Sequence, residues 1–570
     1  MHQRPDTRPA PARSFSYRLL AITTLLGFGL TACGGGGGEA SNPPSPTTPA
    51  NPIAPAVPAP TATLVAPASG KSAWNTPSDL AVTLRNAQGA VIAGPLACSS
   101  PNTVALTVSP DCSSITGQRL GMQTITVSAG GVTANARVKV IPQAQPIGTH
   151  GVAAEQAYNL AVTNDGRVIG WGSPIDGVLG QGASFATSNN PVTLPLTVKD
   201  EPGSGELSNI VSVSAGELSA LALTEDGEVW SWGNRTNARL GRLTNTLEAE
   251  RLPGKVRNAA NSGPLRGIVA VAVGGGNAVA LADDGTVYAW GQWAAQPGAP
   301  TTQFPTLVPG VAGAGLLRNV VAISAGWNWT AALTQDGRVV TWGFNGTTSS
   351  YTGQGSIANV VESPGFVIEQ STRLPIIDIV ALSAGYNFGL GLTSAGEVFA
   401  WGANSQGQSG QNTSDLPVTR GALKVRSGDN VSNLSGIAMV AAGGNHALAL
   451  DTTGSVFSWG FAVSGQLGDG LNRPAGNRSL LPIAVVAGAG QLGNVAMVAA
   501  GFEHSLALAR DGGLLIWGTG FSGNLGQGAT RTITGPGASS PAPIRVLDAT
   551  GSSLSFSPLT NWPNLLQRSR

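Results

Sequence analysis

Charge is scarce in this chain, and what there is cancels. Charged residues make up 11% of the 570, with 31 Lys and Arg against 30 Asp and Glu, where typical globular chains carry about 25%. No net charge draws the chain to nucleic acid or acidic lipid. No Lys/Arg cluster beyond the first residues supplies the basic footprint of a nucleic-acid binder. Histidine is rare as well, four in all. His2 falls in a leader and His150 at a domain junction, leaving His446 and His504, at which no metal site is expected. There is no Gly-x-Ser-x-Gly elbow, no His-Glu-x-x-His and no phosphate loop. Asp and Glu are scattered through turns, where Asp supports chain reversal. The expectation is therefore of no enzyme, no catalytic residue, no cofactor and no metal. Cysteine occurs three times, at Cys33, Cys98 and Cys112, so each position is informative.

Glycine is plentiful, with 79 residues, and it punctuates a repeat. Trp-Gly recurs seven times, at Trp171, Trp232, Trp290, Trp342, Trp401, Trp459 and Trp517, in steps of 61, 58, 52, 59, 58 and 58 residues. A fixed period of this length marks a repeat architecture. Seven units of short strands imply a ring, a seven-bladed β-propeller. Before each Trp stands a tight-turn Gly, usually as Asp-Gly (Asp165-Gly166, Asp226-Gly227, Asp284-Gly285, Asp336-Gly337, Asp511-Gly512) and otherwise as Gly396 or Gly454. Asp-Gly between apolar runs is a hairpin signal, because the turn needs positive φ.

The strand after the turn alternates large and small: Trp230, Ser231, Trp232; Tyr288, Ala289, Trp290; Phe399, Ala400, Trp401; Phe457, Ser458, Trp459. Successive residues face opposite sides of a sheet, so each hairpin offers a bulky face and a small one. That suits blades stacked face to face, with the seven Trp as structural core between them. The Gly after each Trp fits a strand end that another backbone approaches closely.

The repeat resembles that of the regulator of chromosome condensation family, including the alpha-tubulin suppressor-like proteins of bacteria. The matching elements are Gly-x-x-His-x-Leu-Ala-Leu (Gly443 to Leu450), the turn Gly, the strand ending in Trp-Gly, and Gly-Gln-Leu-Gly at Gly465 to Gly468. The last element returns with changes at Gly523 to Gly526 and Gly177 to Gly180. The resemblance covers about Pro146 to Leu547 and implies a seven-bladed propeller. The chain departs from the pattern in several places. The family's His stands only at His446 and His504, its place elsewhere being taken by Tyr158, Ser219, Asn277, Trp329 and Phe388. Glu155 replaces a leading Gly, and the third and fourth units lack a recognisable Gly-Gln-Leu-Gly.

The first 33 residues read as a processing signal. Arg4, Arg8, Arg13 and Arg18 precede the apolar run Leu19 to Leu30, which is too short to remain as a bilayer span. It ends in Leu30-Thr31-Ala32-Cys33-Gly34, which resembles the lipobox of bacterial lipoproteins. The resemblance implies cleavage before Cys33 and lipid on its thiol, and Gly34 points to the outer membrane. Residues 34–60 form a Gly/Pro-rich tether, with eight prolines between Pro43 and Pro60. Residues 61–142 read as a small β-sandwich, from runs such as Ala81 to Leu84, Thr124 to Val127 and Ala136 to Val140. This unit resembles bacterial immunoglobulin-like domains, notably at Leu120 to Val127. Cys98 and Cys112 both lie in it, and in an exported protein a disulfide between them is the default. The propeller spans 146–548, and 549–570 form a C-terminal tail.

These features together predict an all-β, monomeric, lipid-anchored binding or scaffold protein, periplasmic or surface-exposed. Its partner is an envelope or extracellular protein or glycan, held by propeller loops. The longest insertions, Gln181 to Gly205, Thr347 to Arg373 and Gly468 to Gly490, are the first candidates. The alternative is guanine-nucleotide exchange on a small GTPase, which the best-known nuclear members of the resembling family perform; none of their exchange residues matches a position here. A glycan hydrolase would need paired carboxylates flanking a cleft, and none stands out.

Overall fold

The computed structural model describes residues 61–556 apart from 67–70, 74–76, 104–105, 119–120, 142–150, 156, 183–189, 293–301, 347–349, 357–359, 415–417, 472, 474–476 and 529–538. The leader, Cys33, the tether and residues 557–570 lie outside the described residues.

Alternating apolar residues dictate the sandwich. Gly121–Ala129 and Val132–Ile141 pair antiparallel through a turn at Gly130-Gly131. Ile125, Val127, Val138 and Val140 point inward and are fully buried. They pack with Leu84 and Leu106 in one core. Lys71–Ala73 and Ala97–Ser99 flank this hairpin, and a second sheet contains Pro77–Asp79, Ser114–Gly117 and Leu106–Val108. A disulfide joins Cys98 to Cys112 inside the core.

From Val152 onward the chain forms seven four-stranded antiparallel sheets, each built from consecutive strands. Blade two is representative: Ile210–Ala215, Ser219–Thr224, Val229–Gly233 and Gly254–Lys255, from the inner strand outward. Blade one begins at Val152–Ala154, and blade seven ends at Ser539–Arg545. Among the described residues no strand is exchanged between the first and last blades. The ring closes through contacts between blades seven and one, among them the Gly528 amide donating to the Thr193 carbonyl. Beyond Asp548 the chain folds back on blade seven, with the Phe556 amide donating to the Gly512 carbonyl.

All seven repeat tryptophans are at most 1% exposed. The indole of Trp232 donates to the Val178 carbonyl, Trp290 to Arg239, Trp459 to Gln408, Trp517 to Gln466 and Trp171 to Asn524. Each acceptor sits on the preceding blade, in the segment that carries Gly-Gln-Leu-Gly or its remnant. The small residue next to the Trp binds the same kind of segment on its own blade. Ser231 Oγ donates to Leu240 and Ser458 Oγ to Leu467. This motif is therefore mortar between blades. Among the described residues the indoles of Trp342 and Trp401 have no partner, and these follow the two blades whose motif is lost. The Gly after Trp also has a steric cause. Gly233 has φ +109°, and a Cβ there would lie 2.5 Å from the Leu218 carbonyl oxygen.

Outer strands explain where sequence reading and structure differ. The three long insertions read as loops each contain one: Val192–Thr197, Val360–Phe366 and Arg478–Ala484. Pro195, Pro364 and Pro482 interrupt them. Proline cannot donate to a ladder, so it is tolerated only at an edge, and it hides the strand from a pattern search.

Candidate functional site

Alternating strand direction sorts the connections. In each blade the turn between inner and second strands and the link between third and outer strands leave by the same face. The Asp-Gly hairpins leave by the other. The first face therefore carries both the mouth of the central channel and the variable links.

At that mouth the inner strands converge. They end in small residues such as Ala215, Ala325, Ala384, Ala442 and Ala500, followed by Gly216, Gly326, Gly385, Gly443 and Gly501. A Cβ at Gly216 would lie 2.4 Å from the Gly274 carbonyl oxygen, and one at Gly443 equally close to that of Gly501. Only glycine lets neighbouring turns meet this closely. Ser214, Ser324 and Ser383 bind the next blade, their Oγ atoms accepting from the amides of Val273, Ala384 and Ala442. The channel encloses about 150 Å³.

The residue after this glycine faces the opening, and here the repeat is broken. Blades two to seven place Glu217, Gly275, Trp327, Tyr386, Gly444 and Phe502 there. All three aromatics are part-exposed. Trp327 and Tyr386 stack, with centroids 4.8 Å apart and planes at 16°. Phe502 meets Tyr386 edge-on at 5.2 Å, and Phe344 meets Trp327 at 6.4 Å. Burial, reinforced by Glu217, pushes the Tyr386 phenol up to about 12, so it remains a hydrogen-bond donor at any physiological pH. The Trp327 indole donates to Glu217 Oε2 at 3.0 Å.

Beside this cluster lies a cavity of about 230 Å³ between blades two, three and four. Arg239 lines it and is 4% exposed. Its Nε donates to the Thr236 carbonyl and its Nη2 to Thr236 Oγ1, while Nη1 is buried with no partner among the described residues. Burial lowers the guanidinium's proton affinity, and Glu217 and Asp176 oppose this. Sequence reading missed the whole constellation because it looked for binding in long insertions. The available signal was a position just after Ala-Gly that varies from Gly to Trp inside an otherwise regular repeat.

The two histidines serve blade contacts instead. His446 Nε2 lies 2.8 Å from Ser505 Oγ, and His504 Nε2 lies 2.7 Å from Asn159 Oδ1. Ser505 Oγ already donates to the Gln466 carbonyl, so the His446 Nε2–H is the donor. His504 also accepts at Nδ1 from Asn524, while Asn159 Nδ2 donates to the Asn524 carbonyl. This network, with the Trp171 indole, locks blade seven to blade one. Burial lowers both histidines to about 3. Among the described residues no group of three His, Cys, Asp or Glu could hold a metal ion.

Comparison with known proteins adds to this geometry. The model of the RCC1-like domain matches residues 197–556. The ultraviolet-B receptor UVR8 of Arabidopsis thaliana is 26% identical over 379 residues, covering 66% of this chain and 78% of the receptor. The guanine nucleotide exchange factor SRM1 of Saccharomyces cerevisiae is 27% identical over 385 residues, covering 61% and 77%. The human E3 ubiquitin-protein ligase HERC2 is 30% identical over 304 residues, covering 52% of this chain but 6% of the ligase. Among solved structures, Kap60 bound to yeast RCC1 (Prp20) matches with a TM-score of 0.54 at 22% identity, covering 72% of this chain and 92% of that one. A second yeast structure, Prp20p, described with its binding to Gsp1p and histones, matches with a TM-score of 0.52 at 23% identity, covering 72% and 95%. The expectation that the chain is no enzyme does not stand, because similar proteins are a nucleotide exchange factor and a ubiquitin ligase. Nucleotide exchange breaks no covalent bond. A search for nucleophiles and carboxylate pairs is blind to it.

Proposed function

Because the chain belongs to the RCC1-like domain family, we propose that it is a binding propeller whose channel-mouth face engages a protein or glycan of the cell envelope. The observation that carries this reading is the part-exposed cluster of Trp327, Tyr386 and Phe502 on the face shared with the variable links. Aromatic side chains offer large contact area at low entropic cost, and they dominate binding hot spots. The links of blades six, seven, one and two add exposed Leu471, Phe521, Ile175, Leu243 and Leu247 to the same face. The similar yeast structures are of proteins that bind other proteins. On this reading Cys33 carries lipid, the segment 34–60 is a tether, and the propeller is displayed at the outer membrane.

Two measurements test it. A palmitate analogue should label the wild type and sediment with it in the membrane fraction, and Cys33→Ala should lose both. Immobilised propeller should capture an envelope component. That capture should be lost in Tyr386→Ala and kept in Val431→Asp, a change on the opposite face. Equal loss from both variants, or from neither, would sink the face assignment. The second reading, guanine-nucleotide exchange on a small GTPase, draws support from the similarity to yeast SRM1. Acceleration of labelled-nucleotide release from a GTPase, by protein recovered from the cytosol, would favour it instead.

A further inference from the structure

We propose that the cavity beside the channel mouth is a binding site for a single pyranose ring, free or at the end of a glycan. This rests on the reading of that face as the binding face. The first observation is a buried cation in the cavity wall: Arg239 lines it and is 4% exposed.

The remaining lining selects the ligand's chemistry. Glu217 lines the same cavity and puts an anion beside the cation. An anionic guest would be repelled by Glu217 and a cationic one by Arg239. A neutral guest with both donors and acceptors suits the pair. Gln292 and Asn328 add planar amide groups, and Trp327 and Phe344 add apolar ring surface. A sugar ring has this dual character, with hydroxyls at its rim and C–H groups on its faces.

Size and shape agree. About 230 Å³ lies below the ~300–1,000 Å³ of sites for drug-sized ligands and far above the ~30 Å³ share of one water. One six-membered ring is the matching unit. Glycine also shapes the site. A Cβ at Gly275 would lie 2.3 Å from the Trp327 ring, and one at Gly276 would lie 2.9 Å from Asn328 Oδ1. Bulkier residues would displace the groups proposed to hold the ring.

Saturation-transfer NMR on the intact propeller, with glucose, galactose and N-acetylglucosamine as probes, tests this. At least one should show transfer at about 1–10 mM, the range of a weak single-ring ligand. Glu217→Gln and Asn328→Ala should each weaken it about tenfold or more, with unchanged thermal melts, while Val431→Asp should leave it intact. No transfer from any pyranose would overturn the proposal. So would transfer only from free amino acids, whose opposite charges could also bridge Arg239 and Glu217, or indifference to both cavity variants. The bound pyranose should also compete with capture if the envelope partner is a glycan. Capture that depends on Tyr386 while no sugar binds would retire the pocket and leave the face. Sugar binding with capture indifferent to Tyr386 would do the reverse.

Discussion

Acidification should destabilise the ring at its two buried histidines. His446 and His504 are fully buried, and burial lowers each from 6.5 to about 3. The sign follows from linkage. In this window the native protein keeps both rings neutral while the unfolded chain binds a proton at each. Their contribution is therefore fully present above about pH 6.5 and is lost as the pH falls toward about 3. At pH 5 each histidine has lost about 2 kcal/mol, from ~1.36 kcal/mol per pH unit over ~1.5 units. The pair loses about 4 kcal/mol. For a propeller of ~400 residues, an unfolding entropy of about 2.1 cal/mol/K per residue converts this to a fall in Tm of about 5 °C. Carboxylates held low, such as Glu397 by the Lys424 ammonium, sit below their ordinary range and do not contribute between pH 7.5 and 5. Calorimetry of the wild type should show this fall across that interval. The double variant His446→Asn/His504→Asn should melt with a shallower pH slope. Asn is the natural occupant in blade three, where Asn277 donates to Thr330 Oγ1 at 3.0 Å. A flat wild-type profile, or a double variant with the same slope, would refute the reasoning.

Other consequences are equally open to measurement. Trp232→Phe removes the donor to the buried Val178 carbonyl and should cost about 1–3 kcal/mol in urea denaturation beyond its packing loss. Trp401→Phe breaks no such bond, so the two variants should differ by that amount; equal costs would argue against the mortar role. Gly233→Ala forces a Cβ to within 2.5 Å of a backbone oxygen at φ +109° and should destabilise by about 1–3 kcal/mol or more. Replacing Cys98 and Cys112 by Ser opens a loop with a sequence separation of 14 and should cost the sandwich about 3 kcal/mol. Differential scanning of wild type and variant, under non-reducing conditions, reads this directly.

The sequence by itself determined the blade. Period, turn glycine and Trp-Gly are local signals, and each has a local cause: positive φ at the turn, a close backbone at Gly233, an aromatic on the inward side of the strand. The count of blades follows from the count of tryptophans. The outer strands escaped because Pro195, Pro364 and Pro482 erase the alternation, and only pairing with the third strand defines them. Tertiary structure alone decided the rest. Why Gly-Gln-Leu-Gly recurs is invisible until its carbonyls are seen accepting from the next blade's indole. The histidines' role depends on Asn159 and Ser505, the former 345 residues from His504. The channel-mouth site joins Glu217, Trp327, Tyr386 and Phe502 across four repeats, with Trp327 110 residues from the carboxylate it binds. Repetition makes each unit legible because its strands pair with sequence neighbours. The site is formed where units differ, and only closure of the ring brings those differences together.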